Sequence, residues 1–260
     1  MASPFPPQVG VASPPPPAAA ARAVPAGNGS TWWAEGWRLF AASAGVWILL
    51  IVALFVIGVV LSIIPVVGHL ASHVLYPIFL GGLMLGCRAV DRGSPLTFSH
   101  LFAGFSERAG PLFMVGLIYL GLAIAVMLAV AGILLVTFGA AVLSKMAVLG
   151  SPFSVASMMG GAITAILVGT LLFAALFVPV LMAFWFAPAL VVLRGMDAWP
   201  AMQASFSGCL RNVLPFLVYG LIGLLLAIVA TIPFALGWLV VGPMTIASVY
   251  SSYCDIYEDR

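Results

Sequence analysis

The stretch RGMDAWPAMQASFSGCLRN, Arg194 to Asn212, lies between two tracts without charge: there is no Asp, Glu, Lys or Arg from Ala147 to Leu193, nor from Val213 to Cys254. A helix crosses a bilayer with about 20 apolar residues, and each tract exceeds that. The stretch is therefore the turn where the chain leaves a membrane and re-enters it. It carries Arg194, Asp197 and Arg211, with Gln203 and a Trp199-Pro200 pair.

The rest of the chain agrees. Hydrophobic residues make up 64% of 260, charged residues 6%, and the mean hydropathy is +1.24. A soluble domain is about 45–50% apolar and about 25% charged. So few charges cannot cover a water-facing surface. The net charge of +2, with no basic stripe, excludes a nucleic-acid partner. Cys87, Cys209 and Cys254 are far apart in sequence, so neither a disulfide framework nor a zinc site is indicated, and no cofactor is expected.

Residues 1–31 contain eight prolines and one charge, Arg22, in their first 30 positions. No basic segment leads into an apolar core, so they read as a disordered cytoplasmic Pro/Ala-rich tail and not as a signal peptide. Residues 32–255 form the membrane domain and residues 256–260 a short cytoplasmic end. Six spans are expected: Ser43–Ile63, Leu70–Ala89, Pro111–Leu134, Gly161–Phe184 with an apolar continuation to Leu193, Val213–Ile232 and Leu236–Tyr253. Pro65 and Gly68 make the first turn, the semi-polar segment around Lys145 is a loop, and Pro179 and Pro188 kink span four. With six spans and the N-terminus inside, Arg22, Arg38, Arg88, Arg92, Arg108, Arg194, Arg211 and Arg260 fall on the cytoplasmic side and Lys145 alone outside. That is the positive-inside pattern, with both termini cytoplasmic.

The chain also repeats. A shift of 102 places Pro77 on Pro179 and Arg92-Gly93 on Arg194-Gly195. A shift of 104 places Phe102 on Phe206, Gly104 on Gly208, Pro111 on Pro215 and Gly116-Leu117-Ile118 on Gly220-Leu221-Ile222. Both copies run in the same sense, a parallel repeat. Each begins with an amphipathic segment: Phe98, Leu101, Phe102 and Phe105 in one, Trp199, Met202, Phe206 and Cys209 in the other. Trp33, Trp37 and Phe40 give a third such face. Ser94 and Asp197 are the expected helix starts. Three units are expected, each an interfacial helix followed by a span out and a span back, with the aromatic faces turned to the membrane.

The stretches FWFAPALVVLRG, FSGCLRNVLPFLVYG and YSSYCDIY, with CRAVDRGSP and LFAGF earlier, resemble a family of uncharacterised bacterial polytopic inner-membrane proteins. The resemblance covers Trp32 to Tyr257. It implies an inner-membrane location and an all-α fold, and supplies no catalytic residues.

Among candidate sites, His69 and His73 share a helical face at metal-ligand spacing, but no acidic residue or cysteine completes a set, so they read as interfacial histidines. Arg88, Arg92, Arg108, Arg194 and Arg211 border the spans and are the candidate contacts for anions or lipid headgroups. Against this stands their use as positive-inside anchors that snorkel at helix ends. No charged residue lies mid-span, where ion-coupled transporters usually keep one. No HExxH, GxSxG or P-loop pattern is present. The reading is an integral membrane bundle without enzymatic activity that engages membrane lipids, a protein partner or a second copy at its cytoplasmic face. The alternative is a transporter of a small or lipid-like solute; a third reading, an intramembrane enzyme, lacks a convergent polar cluster.

Overall fold

The computed structural model describes residues 21–147 and 155–258. The Pro-rich start, 1–20, and the end of the Lys145 loop lie outside them. Every regular element among the described residues is helical: α1 (Asn28–Ala41), α2 (Ala44–Ser62), α3 (Val67–Asp91), a short 3-10 helix (Phe98–Phe102) running into α4 (Ala103–Glu107), α5 (Ala109–Ala147), α6 (Val155–Trp185), α7 (Ala187–Arg194), α8 (Ala198–Arg211), α9 (Val213–Thr231) and α10 (Trp238–Tyr257).

Five stretches are long and apolar enough to cross a membrane: α2, α3, α5, α6 continued by α7, and α9. The sixth expected span, α10, is a 20-residue helix that falls short on apolarity, because it carries Thr245, Ser248, Ser251, Ser252 and three tyrosines. Burial explains how it stays in the bundle. Ala247, Tyr253, Cys254 and Ile256 are fully buried, and Ser248, Ser251 and Ser252 are buried with them. The serine hydroxyls of Ser248 and Ser252 bond back to carbonyls three residues earlier, and Tyr219 meets Ser248 at 2.8 Å. α10 shows its polar groups to protein, not to lipid. By contrast α2, α5, α6 and α9 leave rows of large apolar side chains exposed, such as Phe55, Leu128, Leu171 and Leu225, which suits a lipid-facing surface.

The interfacial helices turn inward more than expected. α1 lies lengthwise along α10: Asn28 and Trp32 reach Asp255, while eight residues after Asn28 an added Cβ on Gly36 would stand 2.8 Å from the Met244 carbonyl. α8 packs on α6 and α7, and the Phe98–Glu107 segment packs on α3. Each interfacial helix thus rests on a span that returns to the same end: α4 on α3, α8 on α6, α1 on α10. Each of those spans contains an internal proline, Pro77, Pro179 or Pro243. The contacts correspond in part. Gly104 sits against the Ile78 carbonyl, and the Met182 carbonyl, 104 positions after Ile78, accepts from Ser205 Oγ at 2.7 Å, whereas Gly208, the counterpart of Gly104, sits against the Tyr257 hydroxyl. Gly93 and Gly195 both take left-handed φ, 80° and 67°, after their arginines.

Several boundaries differ from expectation. α5 runs on through Ala147, so the first half of the Lys145 loop is helical. Span four breaks at Phe186, just ahead of Pro188, while Pro179 sits inside an unbroken α6. The start near Ser94 moves to Thr97, whose side chain and that of His100 form a reciprocal cap. Among the described residues outside the expected 32–255, Ala21 and Arg22 are held against the bundle by Arg211, Asn212 and the end of α10, and α10 itself continues to Tyr257. Met202, Cys209, Trp33 and Phe40 face the protein and not the membrane, because the amphipathic helices spend their apolar stripes on the returning spans.

Candidate functional site at the arginine-rich end

The ends of α3, α7 and α10 and the starts of α5, α8 and α9 gather at one end of the bundle with the arginines. Most of these guanidinium groups bond to protein. Arg88, half-buried, donates to Glu258 Oε1 at 3.0 Å and to the Leu193 carbonyl at 3.3 Å. Arg108 donates to the carbonyls of Gly195 and Met196, the latter at 3.2 Å, with Asp197 at 3.8 Å. Arg211 donates to the Ala21 carbonyl at 3.0 Å. Leu193 lies in the last turn of α7, where carbonyls lack intrahelical partners; a cation there is also favoured by the helix dipole.

Other contacts close the ring. Arg38 bridges Glu35 at 2.7 Å and Asp91 at 2.8 Å, and its hydrogen bond to Glu35, then that to Asp91, raise its pKa further. Asp91 also accepts from Tyr250 at 3.3 Å. Arg22 donates to the Asp255 and Glu258 carbonyls and covers the end of α10. Asn212, fully buried, accepts from the Val24 N–H at 2.8 Å and donates to the Arg22 carbonyl at 2.8 Å. These bonds hold residues 21–27 against the bundle, and they are the reason the fold begins before Trp32. Burial pushes the Cys209 thiol in α8 up to about 12; it donates to the Met182 carbonyl at 3.6 Å.

Arg92, Arg194 and Arg211 are the exposed members of the set, and of these Arg211 is held by the Ala21 carbonyl. Arg194 lies near the Tyr253 hydroxyl, which is buried and has no hydrogen bond of ordinary geometry to described residues. Arg92 lines an open groove of about 570 Å³ with Arg88, Ser94, Ser99, His100 and Glu107. Phe102 forms part of its wall, and Phe98 and Phe105 stand exposed beside it. Of the five sequence candidates, Arg88, Arg92, Arg108 and Arg194 therefore gather around α3 and the α7–α8 turn, and Arg211 stands apart beside Ala21. His69 and His73 are exposed, and no group of three or more metal-ligating side chains occurs among the described residues.

Sequence reasoning missed a cavity of about 480 Å³ between α3, α5, α6–α7 and α10. Ser72, His73, Tyr76, Tyr119, Trp185 and Thr245 are its polar lining, and the remainder is apolar. These residues sit on four separate helices, and no spacing in the sequence links them.

The chain is 30% identical over 249 residues to a Burkholderia thailandensis protein described as "Probable inner membrane protein BTH_II0599", an alignment covering 90% of each. No family model matches the chain, and no solved structure matches it.

Proposed function

The chain belongs to the family of that probable inner membrane protein, and we propose that it is a non-enzymatic inner-membrane protein that holds anionic lipid headgroups at its arginine-rich end. The observation that carries this reading is the groove at Arg92. It joins a free guanidinium to Ser94, Ser99 and His100, beside exposed Phe98, Phe102 and Phe105. Aromatic rings favour the headgroup level, and an arginine can hold a phosphate through two parallel hydrogen bonds. The other arginines keep the bundle closed, so Arg92, with Arg194, is what remains to meet lipid. The distribution of Arg and Lys supports a cytoplasmic location for this end, with the seven described arginines on it and Lys145 at the far end of α5.

Native mass spectrometry of the protein released from nanodiscs tests the reading. Phosphatidylglycerol adducts should outnumber phosphatidylcholine adducts, and Arg92→Gln combined with Arg194→Gln should erase the preference. Equal retention of both lipids by the unaltered chain would remove the basis for the proposal.

A permease for a lipid-like solute is the second reading, supported by the cavity beside Trp185. Its lining is mostly apolar, which suits a lipid-like solute and disfavours an ionic one.

A further inference from the structure

α6 packs on α5 and α8, while its other flank faces α9 and α10 across two clefts. The larger is the 480 Å³ cavity; the smaller, about 310 Å³, lies against α9. Leu181 and Trp185 line both, so they form the partition between them. The volume falls in the range of small-molecule sites, about 300–1,000 Å³.

Three features define what would fit. Among the described residues no Asp, Glu, Lys or Arg lines the larger cavity, so a charged ligand would meet no carboxylate, ammonium or guanidinium counter-charge there in a low-dielectric setting. Most of the lining is apolar. Of its polar groups, Ser72 and Thr245 bond to carbonyls of their own helices, at 2.7 Å to His69 and 2.8 Å to Val241, whereas the Trp185 Nε1–H is buried and, like the hydroxyls of Tyr76 and Tyr119, makes no hydrogen bond to described residues. Edge-to-face contacts with Phe216 at 5.8 Å and Tyr219 at 6.0 Å fix the plane of the Trp185 indole. Tyr76 and Tyr119 both pack on Phe184, at 6.3 and 4.6 Å between ring centroids.

An indole N–H only donates, so its partner must be an acceptor. In hydrocarbon no water supplies one, and an unpaired polar group there costs several kcal/mol. Trp185 lies nine residues before Arg194, roughly 13 Å along the helix direction at 1.5 Å per residue. The acceptor therefore sits well below the headgroups. The entrance is lateral: Tyr76 is 49% and Leu181 36% exposed at the depth of the spans.

We propose that the cavity between α3, α6 and α10 binds a neutral lipid bearing a carbonyl oxygen, which enters sideways from the bilayer between Tyr76 and Leu181 and accepts a hydrogen bond from Trp185. Two sources share that chemistry, a quinone with an apolar tail and the ester of a diacylglycerol. This site is separate from the headgroup groove, and either can fail without the other.

The test uses the full chain in detergent, titrated by calorimetry with a decyl-substituted benzoquinone and, separately, with dioctanoylglycerol, with native mass spectrometry to count bound molecules. Saturable binding of one equivalent of either probe is expected, and the probe that binds tighter names the source. Trp185→Phe keeps an aromatic ring and removes the donor; it should weaken binding about five-fold, the equivalent of about 1 kcal/mol for one hydrogen bond. Leu181→Trp fills the exposed entrance without touching the buried core and should weaken binding further. Absence of saturable binding for both probes would overturn the proposal, and so would an affinity that either variant leaves unchanged.

Discussion

The Arg88 guanidinium stands 3.0 Å from the Glu258 carboxylate and 3.3 Å from the Leu193 carbonyl, so one side chain of α3 joins the ends of α7 and α10. The two partners are 21% and 30% exposed, too sheltered for full solvent screening and too open for a large desolvation cost. Arg88→Ala should lower stability by about 2 kcal/mol, since two charge-assisted bonds are lost. Glu258→Gln keeps an acceptor and should cost under about 1 kcal/mol. Thermal unfolding in detergent checks both. Equal losses would show that the Leu193 bond contributes nothing.

Asn212 binds the incoming segment at Val24 and Arg22. Asn212→Leu should release residues 21–27 and expose the Arg22 peptide bond to trypsin. The measurement is the rate of cleavage after Arg22 relative to that of the unaltered chain; an unchanged rate would mean that other contacts hold the segment.

Gly104 sits against the Ile78 carbonyl with no room for a Cβ. Gly104→Val should push the Phe98–Glu107 segment off α3 and cost about 1–3 kcal/mol, the usual range for overpacking. Gly45 in α2 has open space around its Cβ position, and Gly45→Ala should be neutral or stabilising by up to about 1 kcal/mol. If the two glycines respond alike, close approach at Gly104 is not what matters.

Cys209 has its thiol pushed up to about 12 by burial. A raised thiol pKa favours the protonated form in the fold, so its contribution to stability is complete below the unfolded value of about 8.5 and is lost as pH climbs through 12. Maleimide at pH 8 should leave Cys209 unlabelled in the folded protein. A cysteine placed at exposed Trp199 should react readily. Fast labelling of Cys209 would mean that α8 opens away from α6.

Reporter fusions after Pro65, Lys145 and Gly237 should all give the outer-side signal, because the arginines collect at the other ends of the spans. A cytoplasmic signal at Lys145 would reverse that placement.

Much of the architecture was legible because hydrocarbon imposes few choices. Long uncharged tracts gave five of the spans, and the glycines after Arg92 and Arg194 marked their repeat. What α10 does was harder to read. Its Ser and Tyr residues lower its apolarity, and only the packing shows that α1 and α9 cover them. The direction of the amphipathic faces was legible only in part: Trp37, Phe98, Phe102, Phe105 and Trp199 are exposed, but a stripe of Met202 and Cys209 looks the same whether it meets lipid or a neighbouring span. For the candidate site, the arginines were identifiable but their partners were not: backbone carbonyls such as those of Leu193 and Met196 leave no trace in residue identity. The cavity at Trp185 was invisible for the related reason that four helices build it.

The pairing of α1 with α10 has a consequence for biogenesis. Ribosomal synthesis delivers α1 before α2 and the helices that follow it, yet its buried face of Trp32, Gly36 and Leu39 finds its cover only when α10 has been made. α10, for its part, is too polar to dwell comfortably alone in lipid. Insertion into the membrane and completion of the tertiary structure are therefore separate events in time, and nascent chains interrupted between them would present an uncovered tryptophan-rich helix to the cell's proteases and chaperones.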